Sequence, residues 1–210
     1  MTLVCAVLPA PAPIGALTIG VTGAGLALVA FGDASRAAQR AAARLGVSLV
    51  AAPAGAGGTL APAGAGGTLA PAGAGGTLAP AGAGNTLGAT AEATEQLREY
   101  LAGSRRAVPV ALDWSLTSGS RRRVLETLHD TVPFGTTVTY GELAARSGLG
   151  HAHTAARGVG AIMGSNPLPL VVPCHRVLGA DGLGGFGGGR AVKEWLLALE
   201  GVLTPALEFG

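Results

Sequence analysis

The 210-residue chain has few of the residues that mark several common functions. With only two cysteines, Cys5 and Cys174, it cannot build a disulfide framework, and a reducing compartment leaves both as thiols. No stretch of about 18 uninterrupted apolar residues is present, which excludes a membrane-spanning helix by sequence. The opening segment MTLVCAVLPAPAPIG lacks the positive n-region of a signal peptide, so the expected location is cytoplasmic. Aromatics make up 4% of the residues, while glycine alone numbers 36. Much of the 49% hydrophobic fraction is therefore small alanine, and the core is expected to be concentrated in part of the chain.

Net charge is also low, at +2, yet it is unevenly distributed. Between Gly103 and Lys193 lie ten basic residues, Arg105, Arg106, Arg121, Arg122, Arg123, Arg146, Arg157, Arg176, Arg190 and Lys193, against five acidic ones. A local excess of this kind suits a phosphate backbone. A solvated basic face with no partner would look the same by charge alone.

What is abundant is a repeat. Residues 52–87 are four nine-residue units, APAGAGGTL three times and then APAGAGNTL. One leucine per unit supplies too little apolar surface to offset the entropy of ordering, so a flexible insert is expected over 52–90. Before it, PIGALTIGVTGAGLALVAFGD predicts two strands around the turn TGAG, and ASRAAQRAAARLG predicts a helix. Together these form an α+β N-terminal domain over 1–51. After the insert, TAEATEQLREYLAG predicts a helix capped by Thr90 and stopped by Gly103, with residues 91–117 joining the two domains.

The remainder, 118–204 with a tail at 205–210, is predicted to be mostly helical. SGSRRRVLETLHDTV places Val124, Leu125, Leu128 and Val132 on one face of a helix behind a cap at Ser118 or Ser120. YGELAARSGL and HTAARGVGAIMGSN outline a helix-turn-helix, a spacing that many non-binding helical hairpins share. PLPLVVPCHRV predicts an extended segment, and AVKEWLLALEG an amphipathic helix with Val192, Trp195, Leu196 and Leu199 inward.

In PCHR, one of two cysteines directly precedes one of four histidines. A cysteine attacks as thiolate, and its ordinary pKa leaves few thiolates at neutral pH, so a base must take the proton. An adjacent histidine can do so directly or through water. A lone cysteine is more often a small core residue, and Cys5 is read that way. A cysteine hydrolase with a Cys-His pair fits less well, because its histidine normally comes from a distant segment.

PCHRV, preceded by GSNPLPLVV and followed by GGFGGGRAVKEWLLALEG, resembles the active-site region of the O6-alkylguanine-DNA alkyltransferases, the methylated-DNA–protein-cysteine methyltransferases. VPFGTTVTYGELA, TAARGVGAIMGSNP and TEQLREYLAG extend the resemblance over residues 91–201, and PIGALTIG resembles the family's first strand region. The resemblance implies single-turnover repair of O6-alkylguanine, and of O4-alkylthymine as a further substrate. It implies Cys174 as alkyl acceptor, His175 as the group that deprotonates it through water, Glu200 as the carboxylate orienting the imidazole, and Asn166 as a brace of the active-site segment. For DNA, it implies that Tyr140 turns the target phosphate, with Gly141 beside it. Arg157 would fill the vacated stack, and Ala155, Ala156 and Gly160 would form a close-approaching helix face in the minor groove. A substrate pocket of Tyr140, Val172, Phe186 and Gly187 follows, with the Val172 and Cys174 carbonyls accepting the guanine amino group. The implied partner is duplex DNA, bound by a monomer with no cofactor, metal or membrane. An alkyltransferase-like protein that binds lesions without transfer is the rival within the same fold.

The chain departs from the family's pattern at three places. Ser120 and Leu125 stand at aromatic positions, Phe186 lacks a phenolic hydroxyl, and three extra residues around GLGHAH lengthen the segment before the second helix. His151 and His153 in that loop are expected to face solvent rather than ligate a metal.

Overall fold

The run TLVCAVLP forms the first strand, β1 (Thr2–Pro9). In the computed structural model, which describes residues 1–32, 35–53 and 83–204, it lies inside a four-stranded sheet of order β3-β2-β1-β4. β2 (Ala16–Thr22) and β3 (Gly25–Phe31) are the expected hairpin, and β4 (Ser48–Ala51) returns parallel to β1. PIGALTIG thus enters the second strand, not the first. An apolar run without alternation hides β1 from a period-two pattern, because both of its faces are covered. Leu3 and Cys5 pack with Ala38, Ala41 and Ala42 of α1 (Ser35–Leu45), while Val4 and Ala6 pack with Ala52 and Leu87 on the other face.

Leu87 belongs to the helix α2 (Ala83–Leu101), which starts well before Thr90. Thr90 is therefore no cap: it is buried inside the helix, and its hydroxyl donates to the Thr86 carbonyl at 2.7 Å. The expected insert over 52–90 is shortened at this end by a helix whose apolar side chains are covered by the sheet, a tertiary gain that outweighs weak local propensity. The last repeat carries Asn85 where the others have glycine, removing one helix-opposing residue. Residues 54–82, most of the repeat, lie outside the described residues.

α2 packs on β1, β2 and β3, and the strand-like residues that follow also come back to the sheet. Leu26 N–H donates to Ala111 O at 2.8 Å, Asp113 N–H to Leu26 O at 2.9 Å, and the Thr22 hydroxyl to the Asp113 carboxylate at 2.5 Å. Gly25, at φ +134, allows this approach, since a Cβ there would lie 2.2 Å from Ala111 O. Of the segment 91–117, expected to join two domains, all but Thr117 falls in the first unit: the chain divides into Met1–Leu116 and Thr117–Gly210.

The second unit is mostly helical. α3 (Gly119–Thr131) buries Val124, Leu125 and Leu128, and Val132 follows as its buried C-cap. Ser118 is the N-cap. α4 (Tyr140–Arg146) and α5 (His153–Met163) pack on each other and both on α3. β5 (Val138–Thr139) pairs in parallel with β6 (Val177–Leu178), and α6 (Arg190–Leu199) packs on the turn before β6.

Two expectations change here. The segment from Pro167 to Pro173 is a series of turns rather than extended chain, with Val172 N–H donating to Leu168 O at 2.8 Å and Leu170 at φ 74. Prolines exclude a helix there, but only Val177 and Leu178 find a strand partner. On α6, Lys193 and Leu197 are buried with Val192 and Leu196, while Trp195 and Leu199 are half-buried, so the inward face is rotated toward Lys193. Among the described residues no helix is long and apolar enough to cross a membrane.

Candidate active site

Pro173 ends the turn region, and Cys174–Arg176 then form one turn of 3-10 helix before β6. Arg176 N–H donates to Pro173 O at 2.9 Å, and Val177 N–H to Cys174 O. The tightness of this turn brings three consecutive side chains inside: Cys174, His175 and Arg176 are all buried. The local chain thereby sets a thiol beside an imidazole, and a distant residue completes the group.

That residue is Glu200, the C-cap of α6, a place where the helix dipole disfavours a carboxylate. It is buried, and four donors compensate. His175 Nε2 donates to Oε1 at 2.7 Å, Arg176 Nη2 to Oε1 at 2.9 Å, Arg176 Nε to Oε2 at 2.9 Å, and Gly135 N–H to Oε2 at 3.2 Å. Arg176 also donates through Nη1 to Val132 O at 2.7 Å. Burial alone would raise the Glu200 carboxyl; hydrogen bonds from His175 and Arg176 prevail and pull it down to about 2. Glu200 is thus a fixed anion, which holds the proton of neutral His175 on Nε2 and leaves Nδ1 as the basic nitrogen. Burial lowers the His175 pKa against the pull of Glu200, so the ring rests neutral.

The Cys174 thiol is pushed up to about 11, first by burial, against the opposing effects of hydrogen bonding from Asn166, the Lys193 charge and nearby backbone N–H groups. The resting pair is a neutral thiol and a neutral imidazole, with groups already placed to favour the thiolate once the proton moves. Asn166 also ties the preceding turns together: its Nδ2 donates to Val172 O at 2.9 Å, and its Oδ1 accepts from Leu168 N–H at 2.9 Å.

Cys174 opens onto a cavity of about 360 Å³ lined by Tyr140, Gly160, Met163 and Gly164 together with Gly185, Phe186 and Gly187. Phe186 meets the His175 ring edge-on, with centroids 6.3 Å apart. Tyr140 stands at the first position of α4, fixed by a capping box in which Glu142 N–H donates to Thr139 Oγ1 and Thr139 N–H to Glu142 Oε2. Its hydroxyl donates to Gly185 O at 3.3 Å. Gly184, at φ +69, permits that contact: a Cβ would come within 2.9 Å of the Tyr140 ring. Burial raises the Tyr140 pKa, and negative charge on Cys174 adds to the rise.

An adjoining open groove of about 680 Å³ shares Tyr140 and Gly160 and is bordered by Gly141, Ala156, Arg157, His151, His153 and Asp181 among others. Arg157 and Gly141 are exposed, and Ala155 and Ala156 are half-buried on the same helix. His151 and His153 face solvent as expected.

Most of the residues singled out from sequence therefore converge, but Val172 does not line the cavity. It is fully buried, and its carbonyl already accepts from Asn166 Nδ2 and from Cys174 N–H at 2.8 Å, which occupies both lone pairs. A base amino group would have to displace one of these donors to reach that carbonyl, contrary to the expectation from sequence.

Conversely, Arg176 and Lys193 leave the pool of cations open to an outside partner. Lys193 Nζ donates to Val177 O at 2.6 Å, to Leu183 O, and to Gly185 O at 3.4 Å, and burial lowers its pKa to about 8. It clamps the loop carrying Phe186 and Gly187 onto the segment after Cys174. Its spacing with Val192, Leu196 and Leu197 was the available signal, masked by its charge. Met163, Gly164 and Gly185 carried none.

Residues 120–202 match the model of the 6-O-methylguanine DNA methyltransferase DNA-binding domain. A methylated-DNA–protein-cysteine methyltransferase of Mycolicibacterium paratuberculosis is 48% identical over 119 residues, 56% of this chain and 69% of that protein. The corresponding Mus musculus protein is 54% identical over 85 residues, 40% of this chain and 39% of its own length. Among solved structures, Mycobacterium tuberculosis OGT in complex with DNA superposes with a TM-score of 0.61 at 29% identity, covering 95% of this chain and 92% of that one. Near-half identity carried across more than two thirds of a relative's length, together with a shared fold, settles the kinship: this chain belongs to the methylated-DNA–protein-cysteine methyltransferase family.

Proposed function

We propose that the protein repairs duplex DNA by moving an alkyl group from guanine O6 irreversibly onto Cys174. The observation that carries this reading is the buried relay of Cys174, His175 and Glu200 beneath a cavity that adjoins an open groove. An alkylated oxygen inside a duplex is out of reach, so the nucleotide swings out into the cavity. Tyr140, at the border of cavity and groove, turns the target phosphate, and exposed Arg157 fills the gap left in the stack. The small residues Ala155, Ala156 and Gly160 let α5 approach the minor groove closely, as the second helix of a helix-turn-helix with α4.

The chemistry balances without a further reagent. The Cys174 proton passes to His175 Nδ1, through one water, as Glu200 stabilises the imidazolium that forms. The thiolate sulfur attacks the alkyl carbon, an S–C bond forms, and the C–O6 bond breaks with its electron pair going to the guanine oxygen. Gly187, in the cavity lining, offers its backbone N–H to that oxygen. The purine anion takes up one proton from solvent while the imidazolium gives one back, so in the balance the proton lost by Cys174 is the one gained by guanine and His175 ends neutral. The products are guanine and an S-alkyl cysteine, which no group in the site can cleave.

The reading predicts stoichiometry. Mixing with excess O6-methylguanine duplex adds one methyl mass per protein, located on Cys174, and then stops. Intact-protein and peptide mass spectrometry measures this. Repeated turnover, or a methyl on Cys5 alone, overturns it, and binding without a mass change supports lesion recognition instead.

A further inference from the structure

The chemistry of the helical unit makes no use of the charge on the other unit's first helix. α1 carries Arg36, Arg40 and Arg44, spaced four residues apart. Ser35, Ala38, Ala41 and Ala42 are its buried face, so this spacing sets the three arginines on the opposite face, each about 6 Å further along the axis. All three are exposed, with exposed Gln39 and Ala43 beside them. α1 contains no acidic residue, and the elements packed on it, β1 to β4 and the single turn Trp114–Leu116, contain no charged residue of either sign. Asp113, just before that turn, has its carboxylate engaged by the Thr22 hydroxyl and Ser115 N–H. Arg44 Nη2 donates to Leu116 O at 2.8 Å, a neutral partner, and Arg36 and Arg40 have no ion pair among the described residues. By contrast, Arg98 of α2, Arg122 of α3 and Arg190 of α6 each pair with a glutamate one turn away. Like charges four residues apart weaken a helix, so a row left without counter-charge fits an anion from outside.

We propose that the Arg36, Arg40 and Arg44 face of α1 is a second, sequence-independent contact for the phosphate backbone of duplex DNA, built entirely from the N-terminal unit. Guanidinium forks match phosphate oxygens, and a row of about 12 Å reaches successive phosphates of one strand. The exposed face offers only guanidinium, amide and methyl groups. It lacks the large apolar or aromatic anchor that a peptide partner would need and the apolar stripe with which a helix enters a lipid surface. The choice of DNA among polyphosphates rests on the reading of this chain as a DNA-repair protein. A second grip on one chain holds DNA at high effective concentration around the first, which raises affinity without adding sequence preference.

The test uses the full chain and an unmodified fluorescent duplex, titrated by anisotropy over a series of salt concentrations. Arg44 is left in place because it also holds Leu116. Arg36→Gln with Arg40→Gln binds roughly tenfold more weakly at low salt, and its salt slope is shallower by about two, one for each lost phosphate contact. Arg36→Lys with Arg40→Lys keeps most of the wild-type slope. Both variants melt with the wild type, since neither side chain packs against the sheet. A glutamine variant that keeps the wild-type slope overturns the proposal. So does one that is unchanged on duplex but no longer binds vesicles of anionic phospholipid, which would assign the face to a membrane. Methyl incorporation on Cys174, read by mass, separates this inference from the repair reading. Transfer in wild type with an unchanged slope in the glutamine variant removes only the α1 contact. A slope that depends on Arg36 and Arg40, with no methyl added in wild type, removes the repair reading and leaves the contact standing.

Discussion

The two cysteines report on the two halves of the molecule. Cys5 lies in the sheet, enclosed by Leu3, Leu28 and the alanines of α1, and burial pushes its thiol up to about 12. Cys174 lies in the helical unit, equally buried, and its thiol is pushed up to about 11. Burial makes both inert as resting thiols, so burial is not what distinguishes a nucleophile. The distinction lies in what receives the proton and what then stabilises the anion. Cys5 has apolar neighbours and no acceptor among the groups that shift it, while Cys174 has Asn166, Lys193, two backbone N–H groups and the imidazole relay.

The sharpest way to break this comparison is substitution. Cys174→Ala abolishes methyl incorporation, and Cys5→Ala retains one methyl per protein, both read by intact mass. Next comes the relay. Glu200→Gln leaves Arg176 buried without its anion and removes the orienting carboxylate. Transfer slows by about a hundredfold or more, and denaturant unfolding shows a loss of about 3–5 kcal/mol. If the rate were unchanged in the folded fraction, Glu200 would be a structural anchor alone.

Arg157→Ala sharpens the division between groove and cavity. Under the proposed role of Arg157 in the vacated stack, single-turnover transfer from duplex falls by roughly tenfold or more, while transfer from free O6-benzylguanine is unchanged. Equal losses on both substrates would remove Arg157 from its role.

Acid titration compares the buried relay with the apolar sheet. The Glu200 pKa, about 2 when folded, lies below its unfolded value near 4.3. Its contribution to stability is thus present above about pH 4.3 and is lost as pH falls toward 2. His175 acts in the same direction at higher pH. Its folded pKa is lowered, so below about pH 6.5 the unfolded chain takes up that proton first. Thermal unfolding from pH 7 down to pH 3, followed in wild type and in Glu200→Gln, shows the smaller acid sensitivity in the variant. The smallest effect belongs to the sheet. At Gly20 an added Cβ would meet Leu28, Leu3 and the Cys5 sulfur at 3.1–3.3 Å. Gly20→Ala therefore costs about 1–2 kcal/mol by overpacking, with the transfer rate of folded protein unaltered.

Much of the site was legible because its central pair is adjacent in the chain. Cys174 and His175 need no fold to be neighbours, and the motif around them brought Glu200, Asn166, Tyr140 and Arg157 into view. The helices α3, α4 and α5 and the β2–β3 hairpin were likewise readable, since apolar spacing and turn residues act over a few positions. β1 and β4 were not, because a strand covered on both faces carries no alternation and a parallel partner lies far along the chain.

The sequence by itself determined that a thiol and an imidazole stand side by side, the local helices and the scarcity of large apolar groups in the repeat. Only tertiary structure decided which cations turn inward. Arg176 looked like one more member of a basic surface until Glu200, from the end of α6, met it inside. Lys193 looked like a solvent-facing helix residue until three carbonyls surrounded its ammonium. The same holds for Val172, whose carbonyl is taken by donors that local sequence does not reveal. Spacing along a chain sets which way a helix or strand can present its side chains. Whether a charge can be buried depends on the partners that other segments bring to it, and those are known only when the chain is folded.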